Sequence, residues 1–148
     1  MSMFDAESFL DATITDVQTK RPPLPAGSDW IGTIGTPKVR VNQGKADPTK
    51  TYTGVDIPVK LDTSSLKDYP ESVILTYGFL LDLNDSGGID LAPGKNGRLR
   101  TLREALGMNS PGAPFSFRSI EGRQIRVKIK HEPYEGEIYD RVDSVAKV

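Results

Sequence analysis

The residues with the most evident chemical potential lie in QIRVKIK, Gln124 to Lys130. The run alternates strictly. Ile125, Val127 and Ile129 fall on one side of a strand, and Gln124, Arg126, Lys128 and Lys130 on the other. Three cations on one strand face can engage the phosphates of a polyanion. A solvated face, or an edge strand charged to repel other strands, would carry the same residues. Arg123 precedes the run, and Lys45 and Lys50 add charge from a polar loop, Asn42 to Lys50. Tyr52 and Tyr134 lie beside turns, where an aromatic ring next to a cation can stack a base and hold its phosphate. They fit equally as amphipathic sheet residues, as does Tyr139, while Trp30, Tyr77 and Phe79 are expected in the core.

Other chemistries find little support. The chain has one histidine and no cysteine, so a zinc site or a Cys/His dyad is not available. His131 ends the apolar face of the basic run and is expected to be structural. No G-x-S-x-G is present and nothing selects a pair of carboxylates, so the expectation is a protein without catalysis and without a cofactor. DLNDSGGID, Asp82 to Asp90, matches a calcium loop at Asp82, Asn84, Ser86, Gly87 and Asp90. Pro93 stands where the bidentate Glu belongs, so this reads as an acidic turn. GKNG, Gly94 to Gly97, lacks the frame of a phosphate loop. Its backbone donors, with Lys95 and Arg98, could hold one phosphate weakly.

A net charge of −1 hides strong segregation. Lys95 to Lys130 carries nine bases against two acids, and Asp62 to Asp90 carries six acids against Lys67. A partner feels the local field rather than the total. The N-terminal MSMFDAESFL lacks a basic region and a long apolar run, and no stretch reaches the length of a membrane span.

The elements that must position these residues are mostly short strands, as eleven prolines and fourteen glycines suggest. An arm over residues 1–27 precedes a domain over residues 28–148. In the arm, Phe4, Phe9 and Leu10 suggest a short helix capped by Asp5, and RPPLPAG, Arg21 to Gly27, must be extended. Such an arm can dock on the body or reach a neighbouring subunit. One strand is expected over Asp29 to Val41, bent at Gly32 or Gly35. A second covers Tyr52 to Asp62, with Pro58 placing it at an edge or a bulge. A third, Val73 to Leu83, is apolar on both faces and so expected to be covered on both. A helix follows in RLRTLREALG, with Asn96 as possible cap and Gly107 as stop. The basic strand comes next, then a connection over His131 to Glu137, then a last strand over Ile138 to Val145. Mainly β, with five strands and one helix between the third and fourth, is the order of an OB-like barrel. A sandwich with one helical crossover would read much the same.

The C-terminal third resembles a family of small bacteriophage proteins. The shared pattern is a helix ending in ALG, here Leu102 to Gly107, then Gly122 to His131, then Tyr134, Gly136, Tyr139 and Val142. The arm follows the same resemblance at Phe9, Leu10, Pro25 and Gly27. The family is similar to OB-fold single-stranded DNA-binding proteins and occurs among phage replication and recombination genes. The resemblance implies a sequence-tolerant single-stranded DNA binder in the host cytoplasm. Arg123, Arg126, Lys128, Lys130, Lys45 and Lys50 would then meet phosphates, and Tyr52 and Tyr134 would stack bases. The competing expectation is a virion component, a capsid decoration or assembly protein whose arm makes subunit contacts.

Overall fold

The computed structural model describes residues 5–148. The element order is α1 (Ala6–Leu10), β1 (Asp29–Ile34), β2 (Lys38–Gln43), β3 (Thr51–Asp62), β4 (Ser72–Leu80), α2 (Gly97–Ala105), a 3-10 turn (Arg118–Ile120), β5 (Gln124–Tyr134) and β6 (Glu137–Ala146). The fold is mainly β, a six-stranded antiparallel sheet with two helices.

The sheet is organised on β3. Along one edge it pairs with β4, from Gly54 opposite Leu80 to Asp62 opposite Ser72. Its other edge is shared. Thr51 to Asp56 pair with β2, and Val59 to Leu61 pair with β1. The far edge of β1 takes β5, and β5 takes β6. The single strand expected over Asp29 to Val41 is thus two, which makes six strands rather than five. The break falls at Gly35, Thr36 and Pro37. It also explains Pro58. That proline is not on an edge strand, since β3 is paired on both sides. Its carbonyl accepts from Gly35 N at 2.8 Å, so its missing N–H faces the gap between β1 and β2, where no ladder donor is required.

Closure into a barrel does not follow from the ladder. No strand pairing joins β6 back to β4 among the described residues, although the two flank one narrow cleft. β4 is also covered on one side only. Val73, Leu75, Tyr77 and Phe79 are buried, while Ile74 and Leu80 remain exposed on the opposite face. It ends at Leu80 rather than Leu83, because Leu81 to Asp90 turns back on itself with Leu83 bridged to Ile89.

Alternation fills the core. Ile125, Val127 and Ile129 from β5 meet Val55, Ile57, Val59 and Leu61 from β3, with Leu99, Leu102 and Ala105 of α2 against them. Each fully buried aliphatic side chain contributes about 1.5–3 kcal/mol. Gly32 permits the closest approach. A Cβ there would sit 2.4 Å from Val59 Cγ1 and 2.7 Å from Leu61 Cδ2.

α2 is nine residues long and depends on its packed face. Asn96 does not cap it by side chain. It adopts a left-handed φ of 51°. Its Nδ2 donates to the carbonyls of Asp82 (2.9 Å) and Asp90 (2.8 Å), and its Oδ1 accepts from Asp82 N (2.8 Å). The expected cap is therefore the tie that holds the acidic loop to the helix. Gly107, at φ 69°, ends the helix as expected.

The arm has two parts. Asp5 caps α1 by accepting from Glu7 N at 3.1 Å. No residue of α1 is buried, and Phe4 lies outside the described residues. Arg21 to Pro25 is extended and docked, but the expected extension does not reach Gly27, because Ala26 and Gly27 turn, with Gly27 at φ 79° and Ser28 N donating to Pro25 O at 3.2 Å. Leu24 is completely buried, Leu24 N donates to Asp140 Oδ2 at 2.8 Å, and Arg21 grips both oxygens of Asp140 at 2.6 and 3.0 Å. Tyr69 Oη donates to Pro23 O, and His131 Nε2 reaches Leu24 O at 2.7 Å. A carbonyl only accepts, so His131 carries its proton on Nε2.

Candidate nucleic-acid interface

β5 presents its two faces as the alternation requires. Ile125, Val127 and Ile129 are buried, and Arg126, Lys128 and Lys130 share the outer face. Cross-strand neighbours complete the surface. Arg126 lies between exposed Ile31 on β1 and Ala146 on β6, and Lys128 between Asp29 and Ser144. Lys130 lies directly opposite Arg141. None of these four cations forms an ion pair among the described residues.

The register that brings Arg141 beside Lys130 is set by the hairpin turn. β5 does not stop at Lys130 but continues to Tyr134, so the connection is only Glu135 and Gly136. Both have positive φ, 49° and 79°, as a two-residue type I′ turn demands. Tyr134 then faces Glu137, and Lys130 faces Arg141. A bulge follows between Lys128 and Ile129, leaving Asp143 of β6 without a partner position.

The remaining expected site residues are dispersed. Lys45 and Lys50 are exposed in the loop between β2 and β3. Tyr52 stands opposite Asn42, exposed, with its ring close to Gly44. Tyr134 is exposed at the tip of the β5–β6 hairpin, 6.4 Å from the Tyr139 ring centre. The register sets Tyr52 and Tyr134 at opposite ends of the strand direction, with the Arg126–Lys130 stripe between them. Arg123 turns away from the stripe and donates from Nη2 to Leu106 O at 3.3 Å, at the end of α2.

Two cations outside the expected set stand closer to the stripe. Arg141 lies over the Tyr139 ring at 5.1 Å. Arg98 of α2 points toward β4 rather than toward Lys95. Its Nη1 donates to Gly78 O at 3.1 Å and its guanidinium lies 5.7 Å from the Tyr77 ring centre. Burial raises the Tyr77 phenol above its ordinary pKa, against the lowering pull of Arg98, so this ring stays neutral. Arg141 was legible in principle, because the Glu-Gly turn fixes the hairpin count. Arg98 was expected with Lys95 at the start of the helix as a weak phosphate donor, and its place beside β4 carried no signal, since it depends on where α2 lands.

At the edge of this surface, Asp140 anchors the arm. Burial pushes its carboxyl upward, but the bonds from Arg21 and Leu24 N outweigh this and hold it below the ordinary carboxylate range. Glu137 is lowered too, by its contact with Lys20 and by the Tyr139 hydroxyl. Among the described residues no group of three or more metal-ligating side chains stands together. No helix among them is long and apolar enough to cross a membrane. No family model matches the chain, and no curated protein matches it significantly.

Proposed function

We propose that this protein binds single-stranded DNA without sequence preference and without catalysis, as a phage replication or recombination protein in the host cytoplasm. The observation that carries the reading is the outer face of β5, where Arg126, Lys128 and Lys130 stand on one strand and none is in an ion pair. The fold reading that goes with it is an OB-like barrel. It is supported by the strand order β4, β3, β1 with β2, β5, β6, by β6 lying beside β4, and by the helix between β4 and β5. Tyr52 and Tyr134 are stacking candidates at the two ends of the stripe, each worth about 1–3 kcal/mol per stacked base.

The test is anisotropy titration of a labelled poly-dT oligomer at low and at physiological salt. Three phosphate contacts predict a log–log salt slope of about −2. The double variant Arg126→Glu/Lys128→Glu is expected to lose binding while keeping its circular-dichroism spectrum. Undiminished affinity in that folded variant would remove the β5 face from the argument.

One observation favours a virion component instead. Leu10, Ile14 and Val17 of the arm are 77, 87 and 88 % exposed, apolar side chains suited to a neighbouring subunit. In that reading sedimentation gives an oligomer that requires residues 1–19, and poly-dT does not bind.

A further inference from the structure

We propose that the unzipped seam between β4 and β6 holds a phosphate group, gripped by Arg98, Lys130 and Arg141. The three cations come from three different elements, α2, β5 and β6, and converge on one cleft of about 140 Å³ that Thr76, Gly78 and Glu132 also line. Small-molecule sites occupy roughly 300–1,000 Å³, so this cleft takes a group rather than a whole nucleotide. Three cations face one carboxylate there. None of the three is in an ion pair among the described residues, and Lys130 has no side-chain hydrogen bond there either. Like charges gathered without a counter-ion favour an anion between them.

The two arginines are already oriented. Arg98 is fixed by Gly78 O and the Tyr77 ring, and Arg141 by Asp140 O (3.3 Å) and the Tyr139 ring. Each guanidinium has five N–H donors, so most remain available to phosphate oxygens after these contacts. A planar fork held in place loses little freedom on binding. The missing ladder explains why the cleft exists. Where β6 runs beside β4 without pairing, side chains rather than backbone bonds line the gap.

The phosphate can be free, or it can belong to a nucleic-acid backbone. Only the second source rests on the function proposed above. The experiment titrates inorganic phosphate and then pyrophosphate into the full chain at constant ionic strength, following backbone amide shifts and melting temperature. Saturable shifts confined to Gly78, Arg98, Lys130 and Arg141, with a rise in melting temperature, are expected. Lys130→Ala, which removes no hydrogen bond or ion pair among the described residues, should weaken the anion at least tenfold, and Glu132→Gln should tighten it. No saturable shift, shifts unaltered in Lys130→Ala, or an equal response to acetate would overturn the site. Poly-dT separates the sources. If Arg141→Gln weakens both poly-dT and phosphate, the seam lies on the path of a strand. If phosphate binds and poly-dT does not, the seam stands and the single-strand reading falls.

Discussion

At the residue scale, Asp140 concentrates the most structure in one side chain. It receives Arg21 twice and Leu24 N once, and these bonds hold its pKa down despite burial. A carboxylate depressed on folding adds stability above its unfolded pKa and loses it as pH falls through the folded value. Docking of the arm is therefore expected to hold at neutral pH and to weaken from about pH 4 downward. Hydrogen exchange at the Leu24 amide, followed from pH 6 to pH 3, checks this. Asp140→Asn should cost about 1–3 kcal/mol, since it removes the charge from a largely buried contact. Urea denaturation measures it, and an unchanged midpoint would make the Arg21 contact incidental. The residues of the candidate interface were only partly legible. Strict alternation gave Arg126, Lys128 and Lys130 a common face, because a strand has a period of two whatever surrounds it. Arg123 sits just outside that alternation, where the terminal carbonyls of α2 compete for its guanidinium. Arg98 was legible as a phosphate donor at the helix start, but its place beside the β5 face was not, since that depends on the packing of a helix onto two strands.

Among the elements, the break between β1 and β2 is the feature that the sequence reading misassigned most usefully. Gly32, Gly35 and Pro58 each suggested irregularity, and each has its own role. Gly35 lies in the break, Pro58 faces it, and Gly32 lies inside an unbroken strand that presses on β3. Gly32→Ala is expected to cost about 1–3 kcal/mol through overpacking against Val59 and Leu61. Gly27→Ala would meet no atom within 4 Å, and its cost would come from its φ of 79° alone. Chemical denaturation of the two variants separates crowding from backbone strain. Gly32→Ala at wild-type stability would mean that β1 and β3 can move apart. The strands and α2 were legible because periodicity and turn residues are local. Their ends were less so. Tyr134 extends β5 because the hairpin needs only two residues, and β4 stops early because the Asn96 side chain draws Asp82 into a turn.

For the whole molecule, the division between arm and domain can be measured. Residues 21–27 share the core of the sheet through Leu24, whereas Leu10, Ile14 and Val17 project from it. Removing residues 1–19 is expected to leave the melting temperature within a degree or two. Removing residues 1–27 should cost at least about 2–5 kcal/mol, the usual loss for a deleted buried leucine. Equal stability of the two truncations would detach Leu24 from the core. The sequence could show that the prolines force an extended arm, but not that the arm returns to the body. Asp140 is 119 residues away from Arg21, and no local pattern links them.

That separation has a consequence for how the chain is made. Arg21 leaves a ribosome before the carboxylate that holds it, which is translated 119 residues later. At about 5–20 residues per second, this leaves the arm without its Asp140 contact for roughly 6–24 s. Until then the Leu24 amide, buried in the finished fold, lacks the carboxylate that accepts from it. β6 thus completes an anchorage that Tyr69 and His131 begin earlier in the chain.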